Sequence, residues 1–256
     1  MKPAVPAPWH SFDLSPPWLA EYRLQAERVV ASIRRGASVA QALNDELPGD
    51  EPIRLAAGCL RFADASVLPA DRAYESHIAV TATVPTRDNR HDLFNGLVWL
   101  RWPALKRRLN EMQASEISRR GVGAVRGPLR DALTLFDENG ALLRAPAPLV
   151  DALRQRDWQR LFIAHRDAWQ GAELTLFGHA LLDKLTAPRK AITAHVLVIE
   201  ALADPLSLLS VEHLSAKPFA VLPVLGVPGW WPGNETPAFY EDAAVFRPRP
   251  QTKTAA

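Results

Sequence analysis

Proline is the residue that most restricts how this chain can fold. The sequence contains 22 prolines among 256 residues. A proline fixes its own φ angle and has no backbone N–H to donate, so it ends or kinks a helix and is kept out of the interior of a sheet. We therefore expect short helices and short strands that are joined by many connections.

The remaining composition is that of a globular protein without a strong net charge. Hydrophobic residues make up 48% and charged residues 23% of the sequence, and the net charge is +2 at pH 7. A chain of this length can bury a sizeable core as one large domain or two small ones. The single cysteine, Cys59, excludes an intrachain disulfide and a cysteine-based zinc site. Because Cys59 lies in the apolar segment Leu55–Leu60, we expect its side chain to be buried.

No segment of the sequence is suited to a membrane. The N-terminal residues Met1–Pro8 lack the apolar core of a signal peptide. No apolar run approaches the ~18–20 residues that a membrane-spanning helix requires. We therefore predict a cytoplasmic protein with no membrane partner.

Apolar periodicity and composition divide the chain into helices and strands. Apolar residues at spacings of three and four predict helices, and runs of β-branched residues predict strands. The predicted helices are 18–35, 39–47, 91–113, 149–169 and 174–185. The predicted strands are 78–84 and 192–199, whereas 53–62 fits either type. Pro103 either kinks the third of these helices or begins a second one as its first residue.

A β-hairpin is predicted over Leu133–Leu143. Asn139 and Gly140 lie between two apolar runs, and both residues tolerate a positive φ angle. Strands and helices mixed without regular βαβ alternation are typical of the α+β class. We therefore expect one α+β domain over residues 18–250, with helices packed on a small, mainly antiparallel sheet made of strand 78–84, the hairpin and strand 192–199.

The two ends of the chain and its last aromatic-rich segment are predicted to be irregular. Residues 1–17 are expected to be an extended N-terminal segment, and 251–256 a disordered tail. Residues 226–250 are rich in proline, glycine and aromatic residues without periodicity. This segment is expected to wrap the domain as a long ordered coil.

Five separated sequence blocks carry a family resemblance. The blocks are Arg90–Trp99, Arg130–Gly140, Phe177–Leu181, Thr193–His195 and Gly226–Tyr240. In their order and spacing they resemble a bacterial family catalogued as domain of unknown function 3025, over roughly residues 10 to 250. The resemblance implies a compact, soluble bacterial protein, and it implies no reaction, cofactor, partner or catalytic residue.

The residues themselves suggest a metal site. His91 and Asn95 are four residues apart on a predicted helix, and His179 and Asp183 repeat that spacing on another. His195 projects from a predicted strand. Imidazoles with oxygen-bearing neighbours bind zinc, manganese or iron, so we take His91, His179, Asp183 and His195 as candidate metal ligands. His91, Asp92, Asn95 and His195 are the candidate catalytic residues, with Arg90 available to steer an anionic substrate.

Structural roles and a binding module are the alternatives. His91 and Asp92 could simply cap a helix, and His179 could be a core histidine. Between Arg101 and Asp131 there are eight basic and three acidic residues, which suits a nucleic acid or another anionic partner, or only a solvated helix face. The aromatic residues from Trp230 to Tyr240 could line a groove for a small molecule or form a lid over the core. The sequence has no HExxH or Gly-x-Ser-x-Gly motif, and we favour a metal-assisted hydrolase over the binding module.

Overall fold

The computed structural model describes Trp9 and residues 12–121, 127–200 and 203–249. Most of the predicted N-terminal segment before residue 12, Arg126 of the basic segment and the predicted tail 251–256 lie outside the described residues. The domain boundaries at residues 18 and 250 remain a prediction. No helix in the described ranges is both long and apolar enough to cross a membrane.

Helices and short strands share the described chain, as expected for an α+β protein. The helices are α1 (Arg23–Arg34), α2 (Val39–Asn44), α3 (Tyr74–Thr81), α4 (Arg90–Arg101), α5 (Pro103–Arg120), α6 (Pro128–Asn139), α7 (Ala147–Gln155), α8 (His179–Lys184) and α9 (Val211–Ser215). The strands are β1 (Arg54–Leu55), β2 (Gly58–Cys59), β3 (Arg61–Asp64), β4 (Thr83–Thr86), β5 (Gly140–Arg144), β6 (Glu173–Leu176), β7 (Thr193–Val198) and β8 (Ala220–Pro223). Proline begins helices here, since Pro103 and Pro128 are the first residues of α5 and α6.

The largest sheet has four strands in the order β6-β5-β7-β8. Strand β5 pairs antiparallel with β6 and parallel with β7, and β7 pairs antiparallel with β8. The sheet is therefore mixed. Strands β3 and β4 form a separate parallel pair, and β1 and β2 a short antiparallel one. Strand β7 confirms the strand predicted over 192–199.

The strand predicted over 78–84 is wrong in its first half. Helix α3 occupies Tyr74–Thr81, and strand β4 starts only at Thr83. Ala82, with φ at 52°, ends the helix in the left-handed region. The β-branched residues are accommodated because Val80 is exposed and the Thr81 hydroxyl donates a hydrogen bond to the carbonyl of His77. Tertiary packing of α3 on α5 thus overrides the strand propensity of the segment.

The hairpin predicted over Leu133–Leu143 is also wrong. Helix α6 runs to Asn139 and strand β5 starts at Gly140, so one helix and one strand replace two strands. Gly140 has φ at −75°, so it is not needed for a positive φ angle. It is needed for space, because a Cβ atom there would lie 2.3 Å from the carbonyl oxygen of Phe136. The Asn-Gly pair therefore marks a helix end instead of a hairpin turn.

Several other segments are shorter than predicted or of another type. Helix α1 starts at Arg23, after a 3-10 turn at Pro17–Leu19. The helix predicted over 149–169 ends at Gln155 in α7 and is followed by a π-helical and a 3-10 turn. The helix predicted over 174–185 is divided into β6 and α8. Cys59, expected to be buried, is exposed in the two-residue strand β2, so that prediction is wrong.

The C-terminal segment is an ordered coil with short 3-10 turns, and buried polar groups fix it. Asn234 is fully buried, and its Nδ2 atom donates to the carbonyl oxygens of Leu225 and Val227 at 2.8 and 2.7 Å. The hydroxyl of Tyr240 lies 2.9 Å from the carbonyl oxygen of Gly226. These bonds hold the coil against the backbone at Leu225–Val227, and the Tyr240 side chain is itself buried in the core.

Candidate metal centre

Three side chains from three helices converge on one point. His91 of α4, Glu138 of α6 and His179 of α8 each offer a ligand atom, and these atoms all lie within 4.8 Å of one another. The two imidazole rings meet edge to face, with their centroids 4.6 Å apart. The Nε2 atom of His179 lies 3.6 Å from Oε1 of Glu138. We call this group the His–Glu–His cluster.

Local structure explains why these helices meet. Helix α8 packs against both α4 and α6. Gly178 directly precedes His179, and the backbone N–H of Gly178 donates to the carbonyl of Gly140 at 2.8 Å. A Cβ atom on Gly178 would lie 2.6 Å from the carbonyl oxygen of Glu138 and equally close to the backbone of Asn139. Only glycine therefore lets the start of α8 reach the end of α6, where Glu138 lies.

His91 is fixed by the way α4 starts. Asn89 caps this helix, because its Oδ1 atom accepts from the backbone N–H of Asp92 at 2.8 Å. Both Asp92 carboxylate oxygens then accept from Arg87, including the Arg87 backbone N–H at 2.7 Å. These bonds brace the first turn, and His91 lies half-buried within it.

A second carboxylate lies on the other side of the His179 ring. The Oδ2 atom of Asp137 is 3.8 Å from Nδ1 of His179, which is too long for a hydrogen bond. The Oδ1 atom of Asp137 accepts from Nζ of Lys106 at 2.6 Å. Lys106 is only 5% exposed, and its second hydrogen bond is to Oδ1 of Asn95 at 2.9 Å. The buried ammonium therefore neutralises Asp137 and ties it to Asn95.

Burial and neighbouring charges set the protonation of the site. Burial lowers the pKa of His179 to about 4, although the charge of Asp137 opposes the change. Burial acts to raise the pKa of Asp137, but the charges of Lys106 and His179 outweigh it and hold that pKa below its usual value. Burial, followed by the charge of Asp137, raises the pKa of Glu138. At neutral pH the His179 ring is therefore uncharged, which is the form that binds a metal.

A cavity opens beside the cluster. Its volume is about 480 Å³, and its lining includes all three residues of the His–Glu–His cluster together with Asp137. Tyr74 and Glu75, from the first turn of α3, lie in the same lining. A small molecule can therefore reach the point where the three ligand atoms converge.

The structure brings some of the sequence-predicted residues together and leaves others apart. His91 and His179 belong to the cluster, while Asp92 and Asn95 line the cavity with their polar atoms already hydrogen-bonded. Asp183 lies 3.4 Å from Nε of Arg90, and both residues lie outside the cavity lining. His195, on β7, contacts the ring of Phe219 and lies outside the cavity lining.

Sequence reasoning missed Glu138, Asp137, Lys106 and Tyr74. Asp137 and Glu138 fall inside the predicted hairpin, although the spacing of Leu129, Ala132, Leu133 and Phe136 is helical, and all four are buried on one face of α6. That spacing was the available signal. Lys106 lies in the basic segment from Arg101 to Arg130, and nothing in the sequence indicates that it turns inward.

Part of the basic segment from Arg101 to Arg130 is paired with carboxylates of the described chain. Lys106 is buried, Arg119 and Arg120 both pair with the carboxylate of Glu116, and Arg101 pairs with Glu21. The arginine at position 126 lies outside the described residues. These ion pairs engage part of the positive charge that a phosphate backbone would need.

Comparison with known proteins supplies a family and no reaction. No curated protein and no solved structure matches the chain. The family model described as "Protein of unknown function (DUF3025)" matches residues 60–250, a range that contains the whole His–Glu–His cluster. Since the match covers most of its 256 residues, the chain belongs to this family of proteins of unknown function, DUF3025.

Proposed function

We propose that His91, Glu138 and His179 bind a divalent metal ion, with Zn²⁺ as the first candidate, and that the protein is a metal-dependent hydrolase. Two histidines and one glutamate form a ligand set that suits catalytic zinc, which keeps a further position open for water. Adjacent ligand atoms around tetrahedral zinc lie roughly 3.3–3.6 Å apart, given bonds of ~2.0–2.2 Å. The 3.6 Å between His179 and Glu138 fits this spacing, and small side-chain rotations would bring His91 to it.

The contact between His179 and Glu138 is the observation that carries the proposal. If Nδ1 of His179 holds the ring proton toward Asp137, the lone pair of Nε2 faces the carboxylate of Glu138. Two lone pairs that face each other in a buried site repel, unless a cation or a proton lies between them. A divalent ion at this point would satisfy both atoms and His91 at once.

Asp137 supports the same arrangement from outside the cluster. Histidine ligands of metals usually direct their other ring nitrogen toward a carboxylate, which fixes the tautomer and makes the ligand more basic. Asp137 lies on that side of His179, and its charge is held in place by the ammonium of Lys106. A rotation of the ring that moves Nδ1 by less than one ångström toward Oδ2 of Asp137 would form the hydrogen bond between them.

The hydrolytic chemistry follows from the three-ligand set and the cavity. A zinc ion with three protein ligands lowers the pKa of a bound water to about 7 and polarises a substrate carbonyl. The cavity of about 480 Å³ gives a small substrate access to that position. Glu75 lies in the cavity lining, and no ion pair among the described residues engages its carboxylate, so it is available to accept a proton from the water.

Metal analysis of the purified protein tests this proposal. Chelator-treated protein is loaded in parallel with zinc, iron(II) or manganese, and bound metal is measured by elemental analysis after desalting. We expect about one ion per chain, and loss of it in His91→Ala, Glu138→Gln and His179→Ala, because each removes one of three ligands. Iron(II) shares this donor set, so the parallel loading decides between the ions.

His195→Ala is the matched control for these variants. His195 is also a half-buried histidine, but it lies on β7 and outside the cavity lining. It should retain the metal. A wild-type protein that binds none of the three ions, or a His195→Ala variant that loses the ion as completely as His179→Ala, would overturn the proposal.

A further inference from the structure

The direction of the hydrogen bonds around Asn95 determines what the hydroxyl of Tyr74 can do. An ammonium group has three donors and no acceptor, so Nζ of Lys106 must donate to Oδ1 of Asn95, at 2.9 Å. The other end of that amide is then its NH₂ group, which donates to the hydroxyl oxygen of Tyr74 at 2.9 Å. Tyr74 therefore accepts from Asn95, and its own O–H points elsewhere.

The O–H of Tyr74 is available as a donor at the cavity. Tyr74 lines the cavity with His91, Glu138 and His179, and none of the described hydrogen bonds uses its hydroxyl as the donor. The chain Asp137–Lys106–Asn95–Tyr74 is polarised by the ammonium, which makes each following donor stronger. Burial, and then the charge of Asp92, raises the pKa of Tyr74, so the hydroxyl keeps its proton.

The charges around the cavity limit the class of substrate. Its lining carries the carboxylates of Glu75, Asp92, Asp137 and Glu138. Two cations lie beside them, and both are already bound: Arg87 to Asp92, and Lys106 to Asp137. A divalent ion together with these two cations would balance the four carboxylates. No positive charge of this set then remains for a phosphate ester, and a substrate that is neutral at the scissile bond fits better.

We infer that the site hydrolyses a carboxylic ester or amide, and that Tyr74 donates a hydrogen bond to the oxyanion formed at the acyl carbonyl. This inference rests on the metal-dependent hydrolase proposed above. The water oxygen bonds to the acyl carbon, its proton passes to Glu75, and the carbonyl electron pair moves onto the oxygen that Tyr74 contacts. When the carbonyl re-forms, the bond to the alcohol or amine breaks, and Glu75 returns the proton to this leaving group.

The test uses zinc-loaded protein and acetohydroxamic acid, which binds zinc through two oxygens and places negative charge where the oxyanion would form. Calorimetry gives its affinity for wild type, Tyr74→Phe and Tyr240→Phe, with bound zinc measured in each sample. We expect Tyr74→Phe to keep its zinc and to bind the hydroxamate roughly tenfold more weakly, the cost of one hydrogen bond to a charged oxygen. Tyr240→Phe is the matched control and should bind as wild type, because the Tyr240 hydroxyl bonds inside the C-terminal coil.

Each negative result contradicts a different part of the inference or of the proposed function. Zinc-loaded Tyr74→Phe with wild-type hydroxamate affinity removes Tyr74 from the site and leaves the hydrolase proposal standing. Inorganic phosphate that binds the zinc-loaded wild type more tightly than the hydroxamate does overturns the ester or amide class. A wild type that takes up zinc and binds no hydroxamate also overturns the inference, whereas a wild type without zinc overturns the proposed function itself.

Discussion

Gly178 packs so closely on Asn139 that a Cβ atom at position 178 would lie 2.6 Å from the backbone N and Cα of Asn139. This contact joins the start of α8 to the end of α6, and it is why His179 and Glu138 can face each other. The geometry of the proposed centre therefore depends on a residue that has no side chain to contribute.

Replacing Gly178 with alanine should push the two helix ends apart. We expect Gly178→Ala to lower the free energy of unfolding by roughly 1–3 kcal/mol, as overpacking usually does. It should also weaken zinc binding, because His179 and Glu138 move away from each other. Gly171→Ala is the control, since a Cβ atom at that position meets nothing within 4 Å. Urea unfolding and a zinc titration measure both effects, and equal behaviour of the two variants would contradict this account.

Lys106 should be among the most important charged residues for stability. Its ammonium is buried and bonds both Asp137 and Asn95, so Lys106→Met leaves a buried carboxylate without its counter-ion. Removing one partner of a buried ion pair costs about 3–5 kcal/mol. The neighbouring exposed residue gives the control: Arg107→Met loses a surface pair with Glu111 and a long, exposed hydrogen bond to the carbonyl of Arg54, and should cost less than about 1 kcal/mol. Urea unfolding distinguishes them, and a cost for Lys106→Met as small as for Arg107→Met would show that Asp137 does not need the cation.

The sequence predicts a segment of this fold correctly where local contacts determine its secondary structure, and incorrectly where distant contacts do. Strand β7 follows from a β-rich run, and α2 from a helical pattern that Ser38 caps. The Asn139–Gly140 pair misled the prediction because local turn chemistry favours a hairpin, whereas the burial of Phe136 and its neighbours makes the segment helical. Apolar periodicity over the whole of α6 is the stronger signal, because it reflects which side chains are buried along the helix. The turn signal reflects the local preference of two residues.

The site was predictable only in part for the same reason. His91 and His179 were recognisable as histidines beside other polar residues. Glu138 was missed because the segment was predicted to be a hairpin. Lys106 was missed because it begins a run of three basic residues, Lys106–Arg108, that is typical of a surface. His195 and Asp183 show a second limit, because suitable residue types at suitable spacings join a cluster only where the fold brings their elements together, and neither lies in the cavity lining.

The low pKa of His179 makes the metal-free protein sensitive to acid. The folded-state pKa is about 4, below the ordinary value of 6.5, so the unfolded chain takes up this proton first as the pH falls. The stability that the neutral ring contributes is therefore complete above pH 6.5 and is lost between pH 6.5 and about 4. From pH 7 to pH 5 the loss should be about 2 kcal/mol, at 1.36 kcal/mol for each pKa unit.

His179→Asn isolates this contribution. Urea unfolding in the presence of a chelator, at pH 7 and pH 5, should show a smaller loss of stability for His179→Asn than for the wild type. His213→Asn is the control for the removal of a histidine outside the cluster, and it should follow the wild type. If His179→Asn loses as much stability between the two pH values as the wild type does, the buried neutral ring is not the source of the acid sensitivity.

Asp137 and Glu138 are neighbours in the sequence with different expected roles, and a pair of isosteric variants separates them. Glu138→Gln removes a proposed ligand and should abolish stoichiometric zinc binding. Asp137→Asn keeps the shape of the side chain but removes the charge that faces Nδ1 of His179, and the loss of such a supporting carboxylate weakens metal binding about 10–100-fold. A zinc titration against a competing chelator measures both. A wild-type zinc affinity in Asp137→Asn would mean that the histidine ring needs no carboxylate to orient it, and complete loss would make Asp137 itself a ligand.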